Sequence, residues 1–93
     1  MEELLEVLEQ LYSNENDIYH EEGFTGFNES KLYDKVVGLC DEELITNGGL
    51  CNWDNIQILR NRGYRVFAGE KDSFGWLTGC VQKHNDSRVI VYG

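Results

Sequence analysis

The sequence predicts an α+β domain, with about three N-terminal helices packed on a C-terminal three-stranded antiparallel sheet. Three observations carry that prediction. Apolar residues recur at helical spacing through the first two thirds of the chain, and from Tyr64 onward the period drops to two. Polar and glycine-bearing breaks separate the periodic segments, in an order of helices first and strands last that fits an α+β architecture.

The first element spans 1–12, where Leu4, Leu5, Val7, Leu8, Leu11 and Tyr12 form one stripe and the glutamates lie opposite. Its early Glu2 and Glu3 suit the positive end of a helix dipole. Residues 13–29, SNENDIYHEEGFTGFNE, break the period and read as a long acidic, aromatic loop. Such a length is unusual inside a compact domain and marks either a functional loop or a short hidden element. Two helices fill 30–62. The first places Leu32, Tyr33, Val36, Val37, Leu39, Cys40, Leu44 and Ile45 inward, is capped by Asn28 or Ser30, and is ended by Gly48-Gly49. The second starts from Asn52 as cap, turns Trp53, Ile56 and Leu59 to the core, and stops at Gly63, where a left-handed residue is needed. Across 64–92, GYRVFAG, FGWLTGCVQ and RVIVYG alternate around the turns EKDS and KHNDS, giving an antiparallel meander. Gly75 and Gly79 share a strand face with Leu77 and Val81, so a helix is expected to lie closely over them; Phe74, Trp76, Thr78 and Cys80 take the other face.

Ninety-three residues make a single domain, which buries roughly 60–65% of the unfolded surface. The net charge of −9 is unevenly laid out. Residues 1–45 hold thirteen acids against Lys31 and Lys35, a net −11, and residues 46–93 hold six bases against four acids, a net +2. A field of this sign disfavours direct binding of nucleic acid or an anionic membrane and steers the chain toward basic partners. The run MEELLEVLEQ is acidic where a signal peptide is basic, and no apolar run approaches a membrane span, so the expected place is the cytoplasm. Cys40, Cys51 and Cys80 lack a disulfide framework spacing and read as free thiols.

No enzymatic signature emerges. GEKDSFGWLTGC, 69–80, has the glycines of a phosphate loop, but strand pattern continues on both sides and Glu70 and Asp72 repel an anion. Cys80 and His84, if both lie on one strand, stand about 13 Å apart, too far to share a metal ion. Neither His20 nor His84 is linked to a cysteine by a known nucleophile signature, so no catalytic residue, cofactor or metal is assigned. What remains is the acidic loop: Glu15, Asp17, Tyr19, Glu21, Glu22, Phe24 and Phe27, with Trp76 from the meander, form a candidate partner-binding set. Carboxylates spaced along a surface imitate the phosphates of a nucleic acid, and rings among them supply buried anchors. The same Tyr19, Phe24 and Phe27 also suit a second use, pinning a long loop to the core.

GYRVFAGEKDSFGWLTGCV and the closing VIVYG, about a third of the chain, resemble segments of small phage and prophage proteins. That resemblance carries no catalytic motif and transfers no site residue. It implies a phage origin, and by analogy with small acidic phage proteins the expected role is a non-enzymatic inhibitor of a host nucleic-acid-binding protein, of the anti-CRISPR or anti-restriction class, in the host cytoplasm. Two other readings stand beside it: a homo-oligomeric accessory module that pairs through the edge strand VIVYG, and a small thiol-dependent enzyme or ligand-binding domain using Cys51 or Cys80.

Overall fold

The computed structural model describes residues 1–13, 19–21, 24–27, 30–68 and 78–93, with 19–21 and 24–26 described by their backbone. Three helices are followed by a three-stranded antiparallel sheet, the α+β arrangement expected. The helices are α1 (Glu2–Ser13), α2 (Lys31–Leu44) and α3 (Trp53–Asn61). The meander consists of β3 (Tyr64–Phe67), β4 (Gly79–Lys83) and β5 (Val89–Tyr92).

Local chemistry sets the helix ends. The Ser30 hydroxyl accepts from the Tyr33 N–H at 3.0 Å and opens α2. Asn52 Oδ1 accepts from the Asn55 N–H at 3.4 Å and opens α3, and Gly63, at φ +94°, supplies the left-handed residue beyond its end. The glycine pair has a different job from the one expected. α2 already stops at Leu44, because Ile45 turns extended and bridges Cys51, and Thr46 to Leu50 then form a tight loop with Gly49 at φ +77°.

Residues 13–29 are not simply a loop. Tyr19–Glu21 and Phe24–Gly26 form two short strands, β1 and β2, paired antiparallel as Tyr19↔Gly26 and Glu21↔Phe24. β2 joins β5 in parallel at Gly26↔Val89, so the meander is part of a five-stranded sheet ordered β1-β2-β5-β4-β3. This corrects the sheet-edge reading: VIVYG lies between two strands, and β1 and β3 are the outer ones.

Strand alternation separates two faces. Tyr64, Val66, Val81, Ile90 and Tyr92 point into the core, where they meet Leu4, Leu8 and Leu11 of α1, Val36, Cys40 and Leu44 of α2, and Ile56 and Leu59 of α3. Arg65, Phe67, Thr78 and Val91 point to solvent. Gly79 belongs to the buried face, and the nearest atoms to it come from neighbouring strands. A Cβ there would stand 2.5 Å from Cζ of Tyr92 and 2.8 Å from the Phe67 carbonyl oxygen, so the cross-strand tyrosine ring occupies the space. Gly75 lies outside the described residues.

One polar knot ties the helical layer to the meander. Arg88, only 3% exposed, donates from Nη2 to the Tyr12 carbonyl at 2.7 Å and to Asp86 Oδ2 at 2.9 Å, while its Nε reaches Asp86 Oδ1 at 3.1 Å. The guanidinium carbon sits 4.8 Å from the Phe27 ring centre and 5.3 Å from that of Tyr12. Tyr12 returns a hydrogen bond to the Arg88 carbonyl at 2.8 Å. Burial pushes the Tyr12 hydroxyl well above its ordinary range, so it remains a neutral donor.

Arg88→Met leaves Asp86 and the last carbonyls of α1 without their cation, and is expected to lower unfolding free energy by about 3–5 kcal/mol. Urea unfolding checks this, and a loss below about 1 kcal/mol would show the knot to be dispensable. A second expectation concerns acid. The hydrogen bond from Arg88, with its charge, holds the Asp86 carboxyl below the usual aspartate range. A depressed folded-state value contributes stability that is full above the unfolded value of about 4 and lost as pH falls through the folded one. The stability gap between wild type and Asp86→Asn should therefore narrow as pH drops from about 5 to about 2. A gap that is flat across that window contradicts the ion pair's role.

Candidate functional site

Glu43 organises the end of the molecule where α1 starts, α2 finishes and α3 begins. Its carboxylate meets the Met1 ammonium at 3.3 Å. Its carbonyl accepts from Asn55 Nδ2 at 2.6 Å, and its Oε2 lies 3.3 Å from the same amide. The Asn52 N–H adds a bond to the Leu44 carbonyl at 2.9 Å. Three elements are thus fixed together by bonds that each begin from a residue at a helix terminus.

Their exteriors are acidic. Around this end stand Glu2 and Glu3 from α1, Asp41 and Glu42 from α2, and Asp54 from the first turn of α3, all exposed. Glu3 is paired with Lys35 at 3.1 Å, and Asp41 Oδ1 accepts from the Gly93 N–H at 2.8 Å. Glu2, Glu6, Asp34, Glu42 and Asp54 form no ion pair among the described residues, whereas Glu9 lines a hollow with Arg62 and Lys83. Two arginines of the second half are engaged elsewhere. Arg88 takes Asp86 as its carboxylate, and Arg60 donates to the Val66 carbonyl at 2.7 Å.

Two large apolar side chains break the acidic exterior. Leu50, on the loop after α2, is 69% exposed, and Trp53, at the start of α3, is 55% exposed. Trp53 was expected in the core from its spacing to Ile56 and Leu59, both of which are fully buried. It sits instead in the first residue of α3, outside the layer those two residues cover. Arg60, two turns on, stacks its guanidinium 5.9 Å from the indole centre. The loop that presents Leu50 is closed by Thr46, whose N–H donates to the Leu50 carbonyl at 2.7 Å and whose hydroxyl accepts the Leu50 N–H at 3.2 Å.

The residues singled out from sequence fare unevenly. Glu15, Asp17, Glu22 and Trp76 lie outside the described residues. Tyr19 and Glu21 fall in β1 and Phe24 in β2, at the β1 margin of the sheet. Phe27 is corrected: it is 6% exposed, packs edge-on to Tyr12 at 4.9 Å, and so pins the chain instead of reaching a partner. Two of the thiols are also described chemically. Burial, then Asp41, pushes Cys40 up to about 12, and burial raises Cys80, so neither is poised as a thiolate. Among the described residues no three histidine, cysteine or acidic side chains group as metal ligands, and no helix is long and apolar enough to cross a membrane. A shallow hollow of about 270 Å³ on the open sheet face is lined by Phe67, Ala68, Thr78, Gly79, Cys80 and Val91.

Comparison with protein-family models, with curated proteins and with solved structures found no match.

Proposed function

We propose that this chain is an acidic, non-enzymatic protein-binding module that docks its helical layer onto the basic, nucleic-acid-binding surface of another protein, as a small phage-type inhibitor would. The observation that carries this reading is the excess of carboxylates on α1 and α2. Glu2, Glu6 and Glu9 follow one another at three- and four-residue steps, which spaces charges at about 5–6 Å along a rigid rod. Fixed charges of one sign, in excess over the cations beside them, would steer a cationic surface toward the helices and compete with the nucleic acid that surface normally holds. Glu15, Asp17, Glu21 and Glu22 would extend the field, and Tyr19, Phe24 and Trp76 would add rings. Phe27 is withdrawn from that set because it is buried.

The test begins with capture of the partner from the native host, followed by affinity measured across a salt series. Dissociation constants should rise steeply between about 0.05 and 0.3 M salt, because exposed charges are screened over that range. The triple variant Glu2→Lys, Glu6→Lys, Glu42→Lys should slow association by about tenfold or more at low salt, with little change in dissociation. Duplex DNA or RNA should displace the module from its partner. An affinity indifferent to salt, or a partner able to hold nucleic acid and module together, refutes the reading.

A further inference from the structure

We infer that Leu50 and Trp53 are the apolar anchors of the acidic docking surface, and that its partner segment is a basic amphipathic one carrying apolar side chains among its cations. The inference rests on the proposed docking function and specifies the chemistry of the partner's contact.

Four observations converge on it. Leu50 and Trp53 are two of the most exposed large apolar residues described, and they lie three positions apart. Three residues of chain reach at most about 10 Å, so one partner segment can touch both. Second, Arg60 lies 5.9 Å from the indole centre and is itself bonded to the Val66 carbonyl, which restricts the ring on one side. The Thr46 hydrogen bonds likewise close the loop under Leu50.

Third, the rim carries carboxylates, beside the Arg60 guanidinium that lies over the indole. The loop after α2 and the start of α3 are joined to the Glu43 hub, so Asp41, Glu42 and Asp54 stand on the elements adjoining the pair. An apolar partner that lacked cations would leave these carboxylates facing it unpaired, whereas a purely cationic one would leave Leu50 and Trp53 in water. Only a segment with both features matches the surface. Fourth, the exposed pair Phe67 and Val91 on the open sheet face flanks Cys80 across the strands, with Arg65 on the same face and no carboxylate among the described residues of β3, β4 and β5. Charge complementarity therefore selects the Leu50–Trp53 site for a basic partner.

The test uses the full chain carrying Trp76→Phe, which leaves Trp53 as its single tryptophan. Two labelled peptides serve as probes: an amphipathic leucine/lysine helix of eighteen residues, and an oligolysine with the same number of lysines. The leucine/lysine helix should bind at least about tenfold tighter than oligolysine and shift Trp53 emission to the blue, as the indole leaves water. Adding Leu50→Ser and Trp53→Ala should abolish that preference and leave oligolysine affinity unchanged. Both positions are exposed, so circular dichroism and the melting midpoint should stay near those of the parent. Phe67→Ser should leave the preference intact. Equal affinity for the two peptides, or a preference that survives the double variant or is lost in Phe67→Ser, overturns the anchor and spares the docking function. Failure of oligolysine to bind at low salt, or binding insensitive to salt, overturns the docking function itself and the anchor with it.

Discussion

A buried guanidinium is the constraint on which the rest of this structure depends. Removing a charge from water is expensive, and it is tolerated only when nearly every donor finds an acceptor. Arg88 meets that condition through the Asp86 carboxylate, the Tyr12 carbonyl and the faces of two rings. Each of those partners comes from a different part of the chain. Tyr12 ends α1, Phe27 follows β2, and Asp86 belongs to the turn between β4 and β5. Satisfying one cation therefore fixes the end of the first helix against the meander and brings the hairpin margin to both. The cation also lies at the C-terminal end of α1, where it complements the negative end of the helix dipole and takes a carbonyl the helix cannot satisfy itself.

With that end fixed, Glu43 fixes the other. The Met1 ammonium and the Asn55 amide converge on it, so α1, α2 and α3 are tied at their termini and packed by leucine, isoleucine and valine between. The outcome is a division of labour by layer. The inner stripe of each helix makes the core, the outer sides of α1 and α2 carry most of the described carboxylates with Lys31 and Lys35 among them, and Arg62, Arg65 and Lys83 lie around β3 and β4. Like charges on a small domain repel and lower its stability. A fold that leaves Glu2, Glu6 and Glu42 without ion pairs among the described residues therefore retains a cost that an interaction with a basic surface would relieve.

Much of this was legible in the chain. The stripe Leu4, Val7, Leu8, Leu11, Tyr12 is buried as the period requires, Asn52 and Gly63 bracket α3, and Gly79 and Val81 share the buried side of β4. What escaped notice has physical reasons. β1 and β2 are three residues each, too short for alternation to show, and β2 is held by a parallel partner more than sixty positions away. Arg88 sits in a polar turn and looks like a surface charge, since its carbonyl partner Tyr12 lies 76 positions earlier. Trp53 shares helical spacing with Ile56 and Leu59, but spacing reports direction around an axis and says nothing of where the covering layer ends. The signal that pointed the right way was Asn52: a residue directly after an N-cap opens the first turn, at the margin of whatever the helix packs on.

The same margin bears on what so exposed a tryptophan would do when two copies meet. Leu50 and Trp53 side by side form the kind of surface through which copies of a protein adhere. Here any two copies meeting through it would bring together Asp41, Glu42 and Asp54 of each, in a molecule already at −9. Like-charge repulsion at short range opposes that contact and is strongest at low ionic strength. On the proposed docking function, the same carboxylates would attract a cationic segment, so one arrangement of charge would oppose self-association and favour a basic partner.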